Sequence, residues 1–197
     1  MKKAFALLLA LLLLTGCAAD TPKEEPVVEE PTVEEKVEES AGETAEPAYL
    51  GDFSAQTLTG ETLDQTFFAG ADLTVINVWA TYCGPCKQEM PVLGALDKEL
   101  ENVQVLGIVT DVIDQNAEPD ESQVKLALEL LEAYGCDYPN LILNQSLANL
   151  GFANLQAVPA TLFVDKDGKL AGMGFYGALD EENWRNTINE RLELAQQ

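Results

Sequence analysis

The chain has 197 residues, 47% of them hydrophobic, and 11 Lys and Arg against 34 Asp and Glu give it a formal net charge of −23. This length suits one domain with extra segments, and this charge argues against nucleic acids and other anionic surfaces as partners. The sequence contains no His, which excludes Ser-His and Cys-His nucleophile pairs, His-ligated zinc and a CxxCH haem attachment. The informative residues are therefore the four cysteines, Cys17, Cys83, Cys86 and Cys136.

The N-terminal residues are typical of an export signal. Two lysines precede eleven apolar residues, 4–14, a run too short to cross a bilayer. The run ends in Leu14-Thr15-Gly16-Cys17, which resembles the bacterial lipobox, where the cysteine is lipidated and becomes the mature N-terminus. We therefore predict a lipoprotein signal peptide at residues 1–16 and lipidation of Cys17. The alternative is a plain signal peptide in which Cys17 is incidental.

The next segment, residues 17–47, is predicted to be the lipidated N-terminus followed by a disordered acidic linker. Residues 20–47 contain eleven acids, two lysines, four prolines and no aromatic residue. Too little apolar surface is available there to offset the entropy of the chain. A solvated spacer is favoured over a specific acidic binding motif, and it would reach roughly 30 Å. The remaining residues, 48–197, are predicted to form the folded domain, and they are themselves acidic.

The pattern of residues 48–197 predicts alternating strands and helices. In chain order the predicted elements are a hairpin at 52–64, a buried strand at 73–79, a helix from Cys83 to about 100, a buried strand at 103–109, a helix at 122–134 capped by Ser122 and Gly135, a short strand at 139–143, a short helix at 147–152, strands at 160–164 and 170–175 joined by an Asp-Gly turn, and a helix at 180–194. This order predicts an α/β fold with a central mixed β-sheet flanked by helices on both faces.

The motif Cys83-Gly84-Pro85-Cys86 lies between a buried strand and a helix. Zinc binding would need a second ligand pair, but the chain has no other CxxC and no His, and a structural disulfide this short would gain little loop entropy. Unsatisfied N–H groups and the helix dipole stabilise a thiolate at a helix N-terminus. We therefore predict redox chemistry without metal or cofactor, with Cys83 as the exposed nucleophile and Cys86, one turn in and more buried, as the resolving thiol.

Three segments carry a resemblance to a known family: Phe53–Gly60 (FSAQTLTG), Val78–Pro91 (VWATYCGPCKQEMP) and Val158–Gly168 (VPATLFVDKDG). Over about residues 49–194 the chain resembles the TlpA-like family of membrane-tethered, extracytoplasmic thiol-disulfide oxidoreductases in the thioredoxin superfamily. The resemblance implies a thioredoxin-like fold with an N-terminal β-hairpin extension. It also implies a cis bond before Pro159, packed beside the redox pair, whose loop could pair its backbone with an extended substrate segment. The alternative for Pro159 is an ordinary trans turn.

Two positions depart from the cytosolic thioredoxins. Those proteins carry a buried Asp, two residues before the Trp, that accepts the proton of the resolving cysteine; here the position is Asn77, which does not titrate. Glu89 lies one helical turn after Cys86, where TlpA-like relatives place an acid near the active site. A carboxylate there could accept the Cys86 proton if partial burial raises its pKa. The alternative for Glu89 is a solvated helix residue.

The resemblance implies a lipid-anchored protein on the extracytoplasmic side of a bacterial membrane that reduces disulfides in exported proteins. Its electrons would come from a membrane thiol transporter of the CcdA or DsbD type. The direction stays open, because Gly-Pro between the cysteines resembles reducing thioredoxins whereas an exported location also suits an oxidant. Two alternatives are a thioredoxin-fold lipoprotein binding module and a thiol peroxidase, although Thr81-Tyr82-Cys83 does not match a peroxidatic Thr-x-x-Cys. We expect a monomer in which Cys136 is a small buried hydrophobe.

Overall fold

The computed structural model describes residues 48–197. The predicted signal peptide at 1–16, the lipidated Cys17 and the linker within 17–47 lie outside these described residues. Among residues 48–197, none of the helices is both long enough and apolar enough to cross a membrane.

A five-stranded mixed sheet forms the centre of the structure. The strands of the described residues are β1 Ser54–Gln56, β2 Thr62–Asp64, β3 Leu73–Trp79, β4 Val103–Val109, β5 Asn140–Ile142, β6 Ala160–Asp165 and β7 Phe175–Tyr176. The main sheet has the order β5-β4-β3-β6-β7, in which β3 pairs in parallel with β4 and antiparallel with β6. All seven residues of β3 are buried, as expected for a central strand covered on both faces. The predicted α/β fold with a mixed sheet is confirmed.

Within residues 48–197, four α-helices accompany the sheet: α1 Gly84–Glu99, α2 Glu121–Tyr134, α3 Gln145–Asn149 and α4 Glu181–Ala195. Helix α1 begins at Cys83, whose Sγ accepts a hydrogen bond from the Cys86 N–H. Helix α2 ends at Gly135 in the left-handed conformation, as predicted. The prediction of Ser122 as the N-cap of α2 is wrong. Asp120 is the cap, because its carboxylate accepts from the backbone N–H groups of both Ser122 and Gln123.

The two faces of the main sheet are covered by different elements. Helices α1, α2 and α4 pack on one face, and we call this side the redox face because α1 carries the cysteine pair. The β1-β2 hairpin, a 3₁₀ turn at Gln65–Gly70 and helix α3 pack on the other face, which we call the hairpin face. The hairpin was predicted from the sequence, and the 3₁₀ turn was not.

The prediction of a strand over residues 170–175 is wrong in most of its length. Leu170 forms an isolated bridge with Val164, and regular pairing returns only at β7. Between these points Gly172 has φ +83°, a left-handed conformation that interrupts an extended strand. The short helix predicted at 147–152 lies slightly earlier, at α3, and is followed by a 3₁₀ turn at Phe152–Asn154.

Candidate active site

The cysteine pair lies where β3 leads into α1. Cys83 and Cys86 form a disulfide, with their Cα atoms 5.3 Å apart. Cys86 is completely buried, as predicted, but only 5% of Cys83 is exposed, so the prediction of an exposed Cys83 is wrong for this oxidised state. The reason is local, because the Cys83 sulfur is bonded to the buried Cys86 sulfur and accepts the Cys86 N–H at 3.1 Å. The two residues between the cysteines, Gly84 and Pro85, are exposed.

Glu89 is buried beneath the cysteine pair, with 1% of its surface exposed. Its Oε1 accepts a hydrogen bond from Asn77 Nδ2 at 2.9 Å, and its Oε2 accepts the Leu179 N–H at 3.3 Å. Burial raises the pKa of Glu89 from 4.5 to about 7, and the hydrogen bonds from Asn77 and Leu179 oppose part of that rise. The Trp184 indole also lowers the pKa of Glu89, although its N–H has no complete hydrogen bond within residues 48–197. The solvated alternative for Glu89 is therefore wrong.

Asn77 and Glu89 occupy one site. Asn77 lies in the middle of β3 and is completely buried. Its amide donates a hydrogen bond to the carboxylate of Glu89, which lies on α1 where that helix packs on the sheet. Residues three apart on a helix are neighbours on its surface, so Cys86 and Glu89 share the same side of α1. Glu89, an acid with a raised pKa, therefore lies one helical turn from the buried Cys86 on the same side of α1.

The Val158–Pro159 peptide bond is cis, as predicted. Ala160, which follows it, pairs with Val78 near the end of β3, so the proline loop and the cysteine loop leave the same end of the sheet from neighbouring strands. The Pro159 carbonyl accepts the Gly177 N–H at 2.9 Å, whereas Val158 makes no backbone hydrogen bond within residues 48–197. The loop therefore presents an unpaired backbone unit beside the redox end of the sheet.

Asp111 fixes the loop that leads to Cys83, and the sequence analysis did not identify it. Its carboxylate accepts from the Thr81 N–H at 2.9 and 3.0 Å and from the Thr81 hydroxyl. Lys87, on the first turns of α1, donates to the Thr81 carbonyl at 3.2 Å. The available signal was an Asp two residues beyond a buried parallel strand, because carboxyl ends of parallel strands meet at one edge of a sheet.

Exposed apolar side chains surround the site. Tyr82, directly before Cys83, is 75% exposed, and Tyr176, opposite Ala160 in β7, is 55% exposed. Trp79 is completely buried, and its indole donates to Asn140 Oδ1 at 2.8 Å. Tyr82 therefore belongs to the rim of the site, and Trp79 belongs to the core.

Cys136 is a free, buried thiol on the redox face. It donates to the Met90 carbonyl of α1 at 3.3 Å, and burial raises its pKa. A buried thiol with a raised pKa is mostly protonated at neutral pH, so the prediction of a small buried hydrophobe is confirmed. Within residues 48–197, no group of three or more Cys, Asp and Glu side chains is arranged to hold a metal ion.

A buried CxxC disulfide at a helix N-terminus, with a buried acid one turn along the helix and a cis-proline loop on the neighbouring strand, defines a thiol-disulfide oxidoreductase of the thioredoxin superfamily. Comparison with known proteins agrees with this class. The sequence profile of the AhpC/TSA family matches residues 48–187, and the chain therefore belongs to that family.

Curated relatives point to the same chemistry. The chain is 34% identical to the thioredoxin-like protein YneN of Bacillus subtilis over 117 residues, which cover 59% of this chain and 64% of YneN. It is 32% identical to the thiol:disulfide interchange protein DsbE of Pseudomonas fluorescens biotype C over 137 residues, 69% of each chain. It is 25% identical to the thiol-disulfide oxidoreductase ResA of Halalkalibacterium halodurans over 143 residues, 73% of each chain. The resemblance to TlpA-like oxidoreductases is confirmed.

Solved structures support the fold. A thioredoxin-family thiol:disulfide interchange protein from Chlorobium tepidum aligns with a TM-score of 0.61 at 19% identity, covering 75% of this chain and 98% of that one. StoA from Bacillus subtilis aligns with a TM-score of 0.53 at 17% identity, covering 72% of this chain and 99% of that one. The thioredoxin-like fold predicted from the sequence is confirmed.

Proposed function

We propose that this protein is a membrane-tethered, extracytoplasmic thiol-disulfide oxidoreductase that reduces disulfides in exported proteins. The observation that carries the proposal is the Cys83–Cys86 disulfide at the start of α1 with the buried Glu89 carboxylate one turn below it. The names of the relatives support the reaction class, since they include a thiol-disulfide oxidoreductase and a thiol:disulfide interchange protein.

The reaction exchanges one disulfide for another. In the reduced protein the Cys83 thiolate, stabilised by the N-terminus of α1, attacks one sulfur of a substrate disulfide and releases the other as a thiolate. Cys86 then attacks the Cys83 sulfur of the mixed disulfide, which releases the second substrate sulfur. The substrate gains two electrons, and the protein ends with the Cys83–Cys86 bond. A membrane thiol transporter of the CcdA or DsbD type would return two electrons and restore the dithiol.

Glu89 acts as the base in the second step. The Cys86 thiol must lose its proton before it attacks, and Glu89 has a pKa of about 7 and lies on the same side of α1. The proton passes from Cys86 to the Glu89 carboxylate, so the charge stays within the site. The released substrate thiolate takes up a proton from solvent.

The proline loop would hold the substrate. Val158 has a free N–H and carbonyl beside the redox end of the sheet, so an extended substrate segment can pair with it as an added strand. Tyr82 and Tyr176 provide apolar contacts on either side of that segment. Pro159 contributes by fixing the direction of the loop.

Tethering rests on the sequence alone. The apolar run at 4–14 and the Leu14–Cys17 segment support lipidation of Cys17, and residues 20–47 support an acidic spacer between the anchor and the redox site. Cys17→Ala should release the protein from the membrane fraction, with Cys136→Ser as the matched cysteine control. Full retention of the Cys17→Ala chain in washed membranes would contradict the anchor.

The reaction is tested with insulin as a disulfide substrate and dithiothreitol as the electron source. Cys83→Ser should abolish turnover, whereas Cys86→Ser should accumulate mixed disulfides, because the first attack survives and the second does not. Glu89→Gln should slow resolution and flatten its pH dependence near pH 7. Faster labelling of Cys86 than of Cys83 by iodoacetamide in the reduced protein would reverse the assigned roles.

Peroxide is the second substrate to test. The thiol peroxidase alternative predicts consumption of hydrogen peroxide by the reduced wild-type chain. In this structure the Thr81 hydroxyl is bonded to Asp111, which supports disulfide exchange over a peroxidatic threonine. Rapid peroxide consumption with negligible insulin reduction would overturn the proposed function. Absence of turnover on both substrates would favour the binding-module alternative.

A further inference from the structure

A row of polar residues crosses the redox face of the main sheet. Asn77 pairs directly with Thr161 of β6 and with Gly107 of β4, and Gly107 pairs with Asn140 of β5. Directly paired residues of neighbouring strands point to the same face, and Asn77 lies two residues before Trp79, a member of the core on the redox face. The row therefore lies on the side of the sheet that helix α1 covers.

The hydrogen-bonding capacity of this row is uneven. Asn140 is fully used, because its Oδ1 accepts from the Trp79 indole at 2.8 Å and its Nδ2 donates to the Tyr138 carbonyl at 2.9 Å. Asn77 Oδ1 and Thr161 Oγ1 are both buried, and neither has a hydrogen-bond partner within residues 48–197. Buried polar atoms nearly always have partners. The two atoms without partners therefore belong to Asn77, which binds Glu89, and to Thr161, which is paired with Asn77.

The Asn77 amide donates through Nδ2 to Glu89 Oε1 at 2.9 Å. An ionised carboxylate only accepts hydrogen bonds, whereas a protonated carboxyl also donates one. An asparagine amide can serve both forms, because rotation about its last torsion exchanges its donor and its acceptor. A threonine hydroxyl can likewise donate to Oδ1 or accept from Nδ2.

We propose that Asn77 is a positioning residue whose amide follows the Glu89 proton, donating to the carboxylate and accepting from the protonated acid. Neither Asn77 Oδ1 nor Thr161 Oγ1 has a partner within residues 48–197, so no second side-chain bond to Oδ1 holds the amide in one orientation. This role rests on the proposed function of Glu89 as the base for Cys86. When the proton passes from the Cys86 sulfur to a Glu89 oxygen, the amide rotates and its Oδ1 accepts a hydrogen bond from the protonated carboxyl. The proton stays on Glu89. Neither protonation state then leaves the buried acid unpaired.

Few other groups reach the Glu89 carboxyl. The segment before α4 contributes the Leu179 N–H, α4 contributes the Trp184 indole, and α1 contributes Cys86, which is held in the disulfide and does not titrate in the oxidised chain. Tyr138, in the segment before β5, also senses the Glu89 charge. Burial raises the pKa of Tyr138 well above 10, so it stays neutral while Glu89 titrates. Asn77 is thus the one side chain among these that donates a geometrically complete bond to the acid.

The test is an infrared pH titration of the full oxidised chain. The carboxyl band that disappears in Glu89→Gln reports the protonated form of Glu89. Asn77→Leu removes the donor to the ionised form, so the midpoint of this band should rise by about one pH unit. Asn140→Leu is the matched control, since it removes an equally buried amide from the same row without touching Glu89, and its midpoint should stay within about 0.3 unit of wild type. An unmoved midpoint in Asn77→Leu, or an equal rise in Asn140→Leu, would overturn the proposal.

A second variant covers failure of Asn77→Leu to fold. Asn77→Asp keeps the shape and places two carboxyls at hydrogen-bond distance, so the pair should titrate in two steps separated by about two pH units or more. A single step at the wild-type midpoint would contradict the coupling.

Turnover then separates this inference from the proposed function. The pH midpoint for resolution of a mixed disulfide should move with the infrared midpoint in Asn77→Leu or Asn77→Asp. A moved infrared midpoint with an unmoved resolution midpoint would overturn the positioning role. If the wild-type chain resolves no mixed disulfide, the proposed function fails, while the infrared titration still decides whether Asn77 follows the Glu89 proton.

Discussion

The hairpin face and the redox face of the main sheet bury different kinds of side chain. On the hairpin face the contacts of β3 and β4 are made by Ile76, Val78, Leu106 and Ile108. The buried Thr74 on that face is satisfied, because its Oγ1 accepts from Gln104 at 2.9 Å. The redox face instead buries the Glu89 carboxyl, the amides of Asn77 and Asn140, the Thr161 hydroxyl and three cysteines.

The buried side-chain atoms without partners show the same division. Within residues 48–197 they are Asn77 Oδ1, Tyr138 Oη, Thr161 Oγ1, Trp184 Nε1 and Arg191 Nε. All five belong to residues of the redox face or to side chains packed on it, such as Arg191 over the Phe163 ring. An unsatisfied buried group costs about 1–3 kcal/mol. The hairpin face therefore stabilises the fold through apolar contacts. The redox face is less stabilising, because it buries polar groups that lack hydrogen-bond partners.

The largest expected change in the free energy of unfolding comes from a large-to-small substitution in the core of the hairpin face. Phe68 is 1% exposed and its ring centroid lies 5.6 Å from that of Phe53. Phe68→Ala should lower the free energy of unfolding by about 3–5 kcal/mol, because it leaves a cavity in an apolar core. Urea denaturation measures this loss, and insulin reduction below the melting temperature should stay within a few-fold of wild type. Loss of turnover in a variant that is still folded would show that the two faces are not separable.

Replacing Glu89 on the redox face should raise the free energy of unfolding, whereas Phe68→Ala lowers it. Glu89 is nearly fully buried and its pKa is raised from 4.5 to about 7, so the folded state holds the proton more tightly than the unfolded state. Stability is therefore lost as pH rises from about 4.5 to about 7 and is level above that. Glu89→Gln removes the titration but has only one acceptor oxygen, so it keeps the bond from Asn77 or the bond from Leu179 and loses the other. With the cost of that lost bond subtracted, it should still be more stable than wild type by about 1–2 kcal/mol at pH 8.

Denaturation of the oxidised chain at several pH values measures the Glu89 effect. The difference between Glu89→Gln and wild type should shrink towards pH 4.5. Glu129→Gln is the control, because Glu129 is exposed on α2 and pairs only with Lys125 at 3.7 Å. A Glu89→Gln variant that is less stable than wild type at pH 8 would contradict the conclusion that burial of the ionised Glu89 carboxylate destabilises the fold.

The smallest expected effect is at Cys136. Its thiol donates to the Met90 carbonyl, a bond that a serine hydroxyl can also make. Cys136→Ser should change the free energy of unfolding by about 1 kcal/mol or less and leave insulin reduction within a few-fold of wild type. The wild-type chain should run as a monomer on a non-reducing gel. A disulfide-linked dimer that disappears in the variant would assign Cys136 a role that its burial argues against.

The fold was predictable where the signal is strong along the chain. The runs at 73–79 and 103–109 are buried on both faces, so an unbroken apolar pattern identifies them as central strands. The 3₁₀ turn around Phe68 has no such pattern, because two adjacent phenylalanines fit neither period. The strand predicted at 170–175 fails because strand propensity does not register the left-handed Gly172.

Most of the site residues were predictable from the sequence, but Asp111 and the contacts between the residues were not. The spacing of the CxxC motif identified Cys83 and Cys86, and the resemblance pointed to Glu89 and to the cis bond before Pro159. The bond between Asn77 and Glu89 joins a strand to a helix, so it depends on how α1 packs on β3. The hydrogen bonds between Thr81 and Asp111 join residues 30 positions apart in the sequence, and they depend on the pairing of β3 with β4. Both contacts are tertiary, and neither residue type reveals its partner in the sequence.

The Leu179 backbone N–H gives the acid a spectroscopic marker. It donates to Glu89 Oε2 at 3.3 Å from the short segment that joins β7 to α4. An amide proton shifts its resonance strongly when its acceptor gains or loses charge, so the nitrogen-proton signal of Leu179 should report the Glu89 proton. The same segment carries Gly177, whose N–H binds the Pro159 carbonyl. One stretch of backbone thus touches both the acid and the proline loop, and its amide signals would show whether substrate capture and proton uptake occur together.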